Sequence, residues 1–171
     1  DFPLPILCVQ HISPGFVGQL VDWLDRSCRL RVEVAVNGVE PMPGHVYFAP
    51  ERLHLGLDPA GRIRLSAGEP EEGQRPAVNV LFRALAQQYG PATLAVLLTG
   101  MGRDGASGLL RVAEAGGHTI AQDEQSCVIF GMPKEAIALG AARQVLPLAE
   151  MAPLLEQLAR GVGSGRLRAA T

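Results

Sequence analysis

The chain has 171 residues, of which 47 % are apolar and 19 % are charged, as expected for a globular domain with a hydrophobic core. Its formal net charge of −2, without a basic run, argues against nucleic acid as the main partner. Its apolar runs are shorter than the ~20 residues that span a bilayer, and it shows no signal-peptide pattern. We therefore expect a cytoplasmic protein that does not insert into membranes.

Strands dominate the first part of the chain. The apolar patterns there predict, in order, a buried strand (4–10), an amphipathic helix (16–27), two further strands (30–36 and 46–49) and a β-hairpin (53–66). The hairpin turns at "DPAG", residues 58–61, which is a common turn sequence.

Helices and strands alternate in the rest of the chain. After a polar loop (68–76), the pattern predicts helices over 78–89, 106–115, 133–139 and 148–160, and strands over 94–98, 118–121 and 144–146. We expect one domain over residues 1–160, followed by a flexible tail over residues 161–171.

This alternation indicates an α/β fold, in which a mostly parallel sheet is covered by helices on both faces in a Rossmann-like three-layer arrangement. Ligands of such folds lie beyond the carboxyl ends of the strands. Three predicted loops leave carboxyl ends, and they comprise residues 11–15, 99–105 and 122–132. A functional site should be built from these loops.

The cysteine and histidine residues do not indicate a metal site. The three cysteines are widely spaced, which is typical of reduced thiols in the core of a cytoplasmic protein. The four histidines show no metal-ligand spacing with each other or with the cysteines. We predict neither a metal nor a cofactor.

The loop "TGMGRDG", residues 99–105, is open to two interpretations. Its spacing Gly100-x-Gly102-x-x-Gly105 matches a dinucleotide fingerprint, and Asp123 follows at the distance of a ribose-binding acid. However, Asp104 would lie inside the pyrophosphate cradle, where each like-charge contact at ~4 Å costs roughly 4 kcal/mol. This repulsion favours a loop that presents a catalytic aspartate.

Asp104 and His11 form a candidate acid–base pair, because both follow strands that end at the same edge of the sheet. A carboxylate that orients an imidazole, beside backbone N–H donors from Met101 onward, makes up much of a hydrolase triad. Taken singly, each residue has a simpler explanation. Asp104 would be a helix cap, and His11 would be a strand-end histidine bonded to nearby backbone.

Five ordered motifs decide between these alternatives. They are "VQHISPGF" (9–16), "VYFAPERLHL" (46–55), "RPAVNVLF" (75–82), "LLTGMGRDGA" (97–106) and "AQDEQSCVIFGMPKEAI" (121–137). With them the chain resembles the catalytic domain of the chemotaxis protein-glutamate methylesterases of the CheB type.

The resemblance implies a reaction and a site. The reaction is hydrolysis of glutamate γ-methyl esters on methyl-accepting chemotaxis receptors, often with deamidation of receptor glutamines. The catalytic histidine would be His11, the triad aspartate Asp104, and the Met101 N–H an oxyanion donor. "GMP" (131–133) and a β-hairpin would lie near the site. The resemblance also implies a phosphorylatable receiver domain in the full-length protein.

The chain departs from the family pattern in two places. The nucleophilic serine of the family lies in a "GASTGG"-like turn upstream of the histidine motif, and none of the serines here matches that turn. We therefore expect the serine upstream of this chain. Ala77 and Asn79 stand where the family often has Ser and Asp, and this difference suggests no function. The alternatives are a receptor-binding domain that has lost its nucleophile and, third, a dinucleotide binder.

Overall fold

The computed structural model describes residues 2–163. Its elements in chain order are β1 Ile6–Cys8, α1 Val17–Ser27, β2 Arg31–Val34, β3 His45–Phe48, β4 His54–Leu57, β5 Ile63–Ser66, α2 Val78–Tyr89, β6 Leu94–Leu97, α3 Ala106–Glu114, β7 His118–Gln122, α4 Met132–Ala138, β8 Gln144–Leu146 and α5 Leu148–Gly163. A 3₁₀ turn, Gly90–Ala92, separates α2 from β6.

The parallel strands form two sheets of three strands each. One sheet has the order β1-β3-β2, the other has the order β6-β7-β8, and β4 pairs with β5 as the expected antiparallel hairpin. The α/β fold class with mostly parallel strands is confirmed. The strands do not merge into one sheet, because β1 pairs only with β3 and β6 pairs only with β7. One edge of β1 and one edge of β6 are therefore unpaired within the described residues.

Helix α2 connects the two halves of the core. Its apolar residues recur at helical spacing, so that Val78 and Phe82 pack with the cluster around β6 and α3, while Leu81 packs with the cluster under β3, β4 and β5. A third cluster lies beneath α1 and includes Val17, Val21, Val32 and Phe48. Packing on both sides of α2 fixes the position of its N-terminus.

Helices α2 and α3 approach each other closely at Gly108. A Cβ atom added there would lie 2.8 Å from the Asn79 Cα and 2.9 Å from the Phe82 Cβ. Only glycine fits such a contact, and it brings the first turns of the two helices side by side. This contact matters for the site, because Asp104 lies just before α3.

Helix α5 ends at Gly163, three residues beyond the expected domain boundary. The rest of the expected tail, residues 164–171, lies outside the described residues. Within residues 2–163, no helix is long and apolar enough to cross a membrane.

Candidate active site

His11 and Asp104 come together at the carboxyl ends of β1 and β6. His11 Nε2 lies 2.9 Å from Asp104 Oδ2, and the side chains are 22 % and 3 % exposed, respectively. The two groups are not aligned for a good hydrogen bond, and Nε2 has no other partner in the described part of the chain. Such contacts in unliganded sites often become well aligned only when substrate binds. The ring is thus oriented with Nε2 toward the carboxylate.

Backbone N–H groups at the start of α2 hold the Asp104 carboxylate. Val78 N donates to Oδ2 at 2.7 Å, and Asn79 N donates to Oδ1 at 3.0 Å. Burial raises the pKa of Asp104, but the nearby His11 ring and the backbone N–H groups of Asn79 and Val78 together outweigh burial, and the pKa is lowered. Asp104 is therefore an ionised helix cap, and it is also the partner of His11.

Asn79 in turn accepts hydrogen bonds from the start of α3. Its side-chain Oδ1 accepts hydrogen bonds from Gly105 N at 3.0 Å and Gly108 N at 2.8 Å. Asp104 therefore caps α2, while Asn79 in the first turn of α2 caps α3. The sequence alone indicates no function for Asn79. Its only local signal was an amide side chain of the type that often caps helices.

The loop that carries Met101 is fixed through its neighbours. Thr99 Oγ1 donates to Ile129 O at 3.0 Å and accepts from Ile129 N at 2.9 Å, and Gly100 N donates to Ile129 O at 3.0 Å. Met101 N has no acceptor in the described structure, so it is available as a donor. The loop thus has the character expected of an oxyanion donor, which is a rigid backbone with a free N–H.

Residues 131–133 pack directly against this loop. Met132 N donates to Gly100 O at 2.8 Å, and a Cβ on Gly131 would lie 2.6 Å from that oxygen and 3.1 Å from the Met101 Cα. Gly131 is therefore required for the close approach of the two backbones. The expectation that this motif lies near the site agrees with its position beside Met101.

Gln122, at the end of β7, hydrogen-bonds to the loop that carries Met101 and to the segment that leads to residues 131–133. Its side chain is 1 % exposed, accepts from Thr99 N at 2.8 Å, and donates to Ser126 O at 2.8 Å. Gln122 is not among the site residues predicted from the sequence. It stands at the end of a predicted strand, where a buried amide is a recognisable signal for loop anchoring.

A shallow depression of about 610 Å³ lies beside Met101. Its lining residues are Glu72, Gly102, Arg103, Phe130, Gly131, Lys134 and Glu135. Arg103 Nε lies 2.6 Å from Glu72 Oε2 across it. The surface beside the Met101 loop thus carries both signs of charge.

The glycine loop is not arranged as a phosphate cradle. The N–H groups of Gly105 and Gly108, at the start of α3, already donate to Asn79, and the Asp104 carboxylate is buried against α2. A pyrophosphate at this helix start would meet occupied donors. The structure therefore argues against the dinucleotide interpretation.

No serine of the described residues hydrogen-bonds to His11. Ser13 and Ser107, the two serines closest to the pair in sequence, are both exposed. Ser27 Oγ donates to Trp23 O, and Ser126 Oγ donates to Asp123 Oδ1. The described part of the chain thus contains the candidate base, acid and donor loop without a serine poised beside the base.

Comparisons with known proteins agree on one family. Residues 1–155 match the family described as CheB methylesterase. The protein-glutamate methylesterase/protein-glutamine glutaminase 1 of Syntrophus aciditrophicus is 48 % identical over 162 residues, which are 95 % of this chain and 46 % of that protein. The protein-glutamate methylesterase FrzG of Myxococcus xanthus is 48 % identical over 91 % of this chain and 47 % of its own length. The chain thus spans just under half of the length of these relatives.

A solved structure gives the same result for the fold. The crystal structure of the Thermotoga maritima CheB methylesterase catalytic domain superposes with a TM-score of 0.89 at 42 % identity. The match covers 92 % of this chain and 85 % of that one. The likeness therefore extends over most of the chain.

Proposed function

Because the chain belongs to the CheB methylesterase family, we propose that it is the catalytic part of a protein-glutamate methylesterase. Its substrates are the glutamate γ-methyl esters of methyl-accepting chemotaxis receptors, and it also deamidates receptor glutamines. The names of the relatives support both activities, since they are called protein-glutamate methylesterase/protein-glutamine glutaminase. We assign this reaction to the cytoplasm, in keeping with the three free cysteines.

The observation that carries the proposal is the 2.9 Å contact between His11 Nε2 and Asp104 Oδ2. A buried, ionised carboxylate against an imidazole stabilises the imidazolium and selects one ring tautomer. Since Nε2 faces the carboxylate, Nδ1 is the nitrogen that takes the proton of the nucleophile. The pair supplies the base and its orienting acid, and the free Met101 N–H supplies an oxyanion donor.

The reaction then follows acyl-transfer chemistry. A serine hydroxyl attacks the γ-carbonyl carbon while His11 accepts its proton, and the Met101 N–H stabilises the negative oxygen. His11 returns the proton to the methoxy oxygen, and methanol leaves. Water, deprotonated by His11, attacks the acyl-serine and releases glutamate. With a glutamine substrate, the same steps release ammonia.

The nucleophilic serine is proposed to come from a segment outside this chain. β1 and β6 each have one unpaired edge, and they lead directly to the loops of His11 and Met101. A strand placed between them would extend both sheets and end beside both loops. Exposed strand edges readily accept such a partner. A phosphorylatable receiver domain elsewhere in the protein stays a prediction of the family resemblance.

The test compares the full-length protein with residues 1–171 alone on methylated receptor, with methanol release as the measurement. We expect turnover by the full-length protein only, and association of the 171-residue chain through its open strand edges. Methanol release by residues 1–171 would put the nucleophile inside the chain, and Ser13 and Ser107 would then be mutated first. Receptor binding by the full-length protein without methanol release would instead favour the non-catalytic receptor-binding alternative.

A further inference from the structure

Asn79 occupies a buried position between the two helix starts of the site. Only 1 % of the residue is exposed, and the first turns of α2 and α3 enclose it. The main chain and the side chain of Asn79 form hydrogen bonds with different partners. The Asn79 N–H donates to Asp104, and the Asn79 amide oxygen accepts from Gly105 and Gly108. We call this arrangement of Asn79, Asp104 and the N–H groups of Val78, Gly105 and Gly108 the reciprocal clamp.

The clamp limits the movement of Asp104 in two ways. The carboxylate is held by donors of α2, and the backbone of the next residue, Gly105, is held by the Asn79 side chain. Gly105 has a φ of +92°, and an added Cβ would lie 2.6 Å from Leu97, so only glycine fits this turn. A change in the Asn79 side chain would therefore act on Asp104, although Asn79 does not touch His11.

The side chain of Asn79 is also uncharged at a place surrounded by charge. Glu71 and Arg83, which form an ion pair, both interact electrostatically with Asp104, and Asn79 helps to lower the pKa of Glu71.

The neighbouring loops carry further charged and titratable groups. The Glu72–Arg103 pair lies on the adjoining loop, and Glu51 accepts from Gly15 N on the His11 loop. His54 is buried beside the start of α2, where its Nδ1 accepts from Ala77 N.

We propose, on the basis of the proposed function, that Asn79 is a positioning residue for the His11–Asp104 pair and that its neutral amide tunes this pair. It keeps a second carboxylate out of the clamp, so that Asp104 is the one carboxylate of the clamp. An aspartate at position 79 would keep both accepted hydrogen bonds but add a negative charge to the clamp. That charge would favour the protonated form of His11.

The decisive experiment uses Asn79→Asp in the full-length protein, with Asn37→Asp as the matched control. Asn37 also accepts a backbone hydrogen bond through Oδ1, from Leu65 N, on the hairpin side of the fold. We expect the midpoint of the His11 ring titration, followed by NMR with labelled histidine, to move upward by roughly half a pH unit or more in Asn79→Asp. The control should leave it in place.

Catalysis provides the second measurement. For Asn79→Asp, the acid limb of the kcat/KM profile should move upward with the His11 titration, while the maximal kcat stays within about threefold of wild type. Asn79→Ala leaves the Gly105 and Gly108 N–H groups without their acceptor, and we expect kcat to fall by about tenfold or more with little change in KM. If kcat is high in Asn79→Asp but low in Asn79→Ala, the loss in Asn79→Ala reflects the missing side-chain oxygen and not a general loss of structure.

Two results would overturn the proposal. One is an unchanged His11 titration in Asn79→Asp, and the other is an equal shift in Asn37→Asp. Failure of the proposed function looks different, because no protein, wild type included, would then release methanol. The NMR titration does not depend on turnover and would still decide the role of Asn79, also where Asn79→Ala does not fold.

Discussion

The loop of His11 and the turn of Asp104 are held in opposite ways. Residues 12–16, directly after His11, are all exposed, and Nε2 of the His11 ring has Asp104 as its one polar contact in the described part of the chain. Asp104, in contrast, starts a run of three buried residues and accepts two backbone hydrogen bonds from another helix. Asp104 is thus fixed by the core, whereas the position of the His11 ring depends on its contact with Asp104.

This difference separates effects on chemistry from effects on folding. A carboxylate that caps a helix contributes to stability as well as to catalysis, while a histidine whose Nε2 makes no hydrogen bond in the described structure contributes mainly to catalysis. Substitutions in the two regions should therefore lower activity together but lower stability unequally. The variants are to be compared in the full-length protein, with methylated receptor as substrate.

The largest effect on activity is expected for His11→Ala. Loss of the general base should lower kcat by roughly 10⁵–10⁶-fold, as found when a triad histidine is removed. The free energy of unfolding should change by less than about 1 kcal/mol, because the substitution removes no aligned hydrogen bond of His11 Nε2. Methanol release and urea denaturation measure the two quantities.

His118→Ala is the matched control for His11→Ala. Its Nε2 is bonded to the Gln144 side chain at 3.1 Å, at the opposite end of β7 from the site. It should leave kcat nearly unchanged. A comparable loss of activity in both variants would remove His11 from the role of base.

Asp104→Asn should lower both activity and stability. We expect kcat to fall by roughly 10³–10⁴-fold, because the imidazole loses its orienting charge. The free energy of unfolding should fall by about 1–2 kcal/mol, because an amide offers one oxygen where Val78 and Asn79 now have two.

Asp58→Asn is the control for Asp104→Asn, because it changes a carboxylate that caps a turn outside the site. Asp58 Oδ1 accepts from Ala60 N and Arg62 N in the hairpin turn, far along the chain from the site. It should affect stability slightly and activity not at all. Turnover by Asp104→Asn within about threefold of wild type would reduce Asp104 to a helix cap.

Gln122→Ala removes the hydrogen bonds of Gln122 to Thr99 and Ser126, and it should have a moderate effect on activity. Without the Gln122 oxygen, Thr99 N loses its acceptor and the Met101 N–H becomes less well positioned. We expect kcat to fall by about tenfold with little change in KM, less than the 10²–10³ typical for removal of a whole oxyanion donor. Gln88→Ala, which removes only an exposed bond to Pro59 O, is the control. A larger change in KM than in kcat would contradict this assignment.

The smallest effect concerns acid stability. The pKa of Asp104 is lower in the folded protein than in the unfolded chain, so the unfolded state binds more protons on acidification. The stabilisation is present above the unfolded pKa of about 4 and is lost as the pH falls through the folded value. Denaturation curves at several pH values should show this loss in wild type and less of it in Asp104→Asn. Parallel curves would contradict the prediction.

Local patterns were sufficient to predict the elements of the fold. Helix α2 and strand β8 have the predicted bounds, because their apolar spacing and their flanking turns are encoded in adjacent residues. The proximity of His11 and Asp104 also followed from local reasoning, since both were expected at the carboxyl ends of strands. Their catalytic roles, and that of the Met101 N–H, stay predictions until variants are measured.

The interactions that hold the site could not be read from local patterns. Asn79 and Gln122 act through hydrogen bonds to backbone groups 23 to 29 positions away, and no periodicity predicts such partners. The division of the parallel strands into two sheets is also a tertiary property. It depends on which edges meet, whereas sequence patterns indicate only that strands exist.

The reciprocal clamp has a consequence for how this part of the molecule opens. Two side chains accept from the backbone amides of the clamp. Asp104, just before α3, accepts from the amides of Val78 and Asn79 in α2, and Asn79 accepts from the amides of Gly105 and Gly108 at the start of α3. Neither helix start can be released while the other stays closed, so the four amides should exchange with deuterium at one common rate. They would thus behave as a single cooperative unit that spans positions far apart in the chain. Amides of residues 12–16 on the His11 loop, which belong to no such unit, should exchange much earlier.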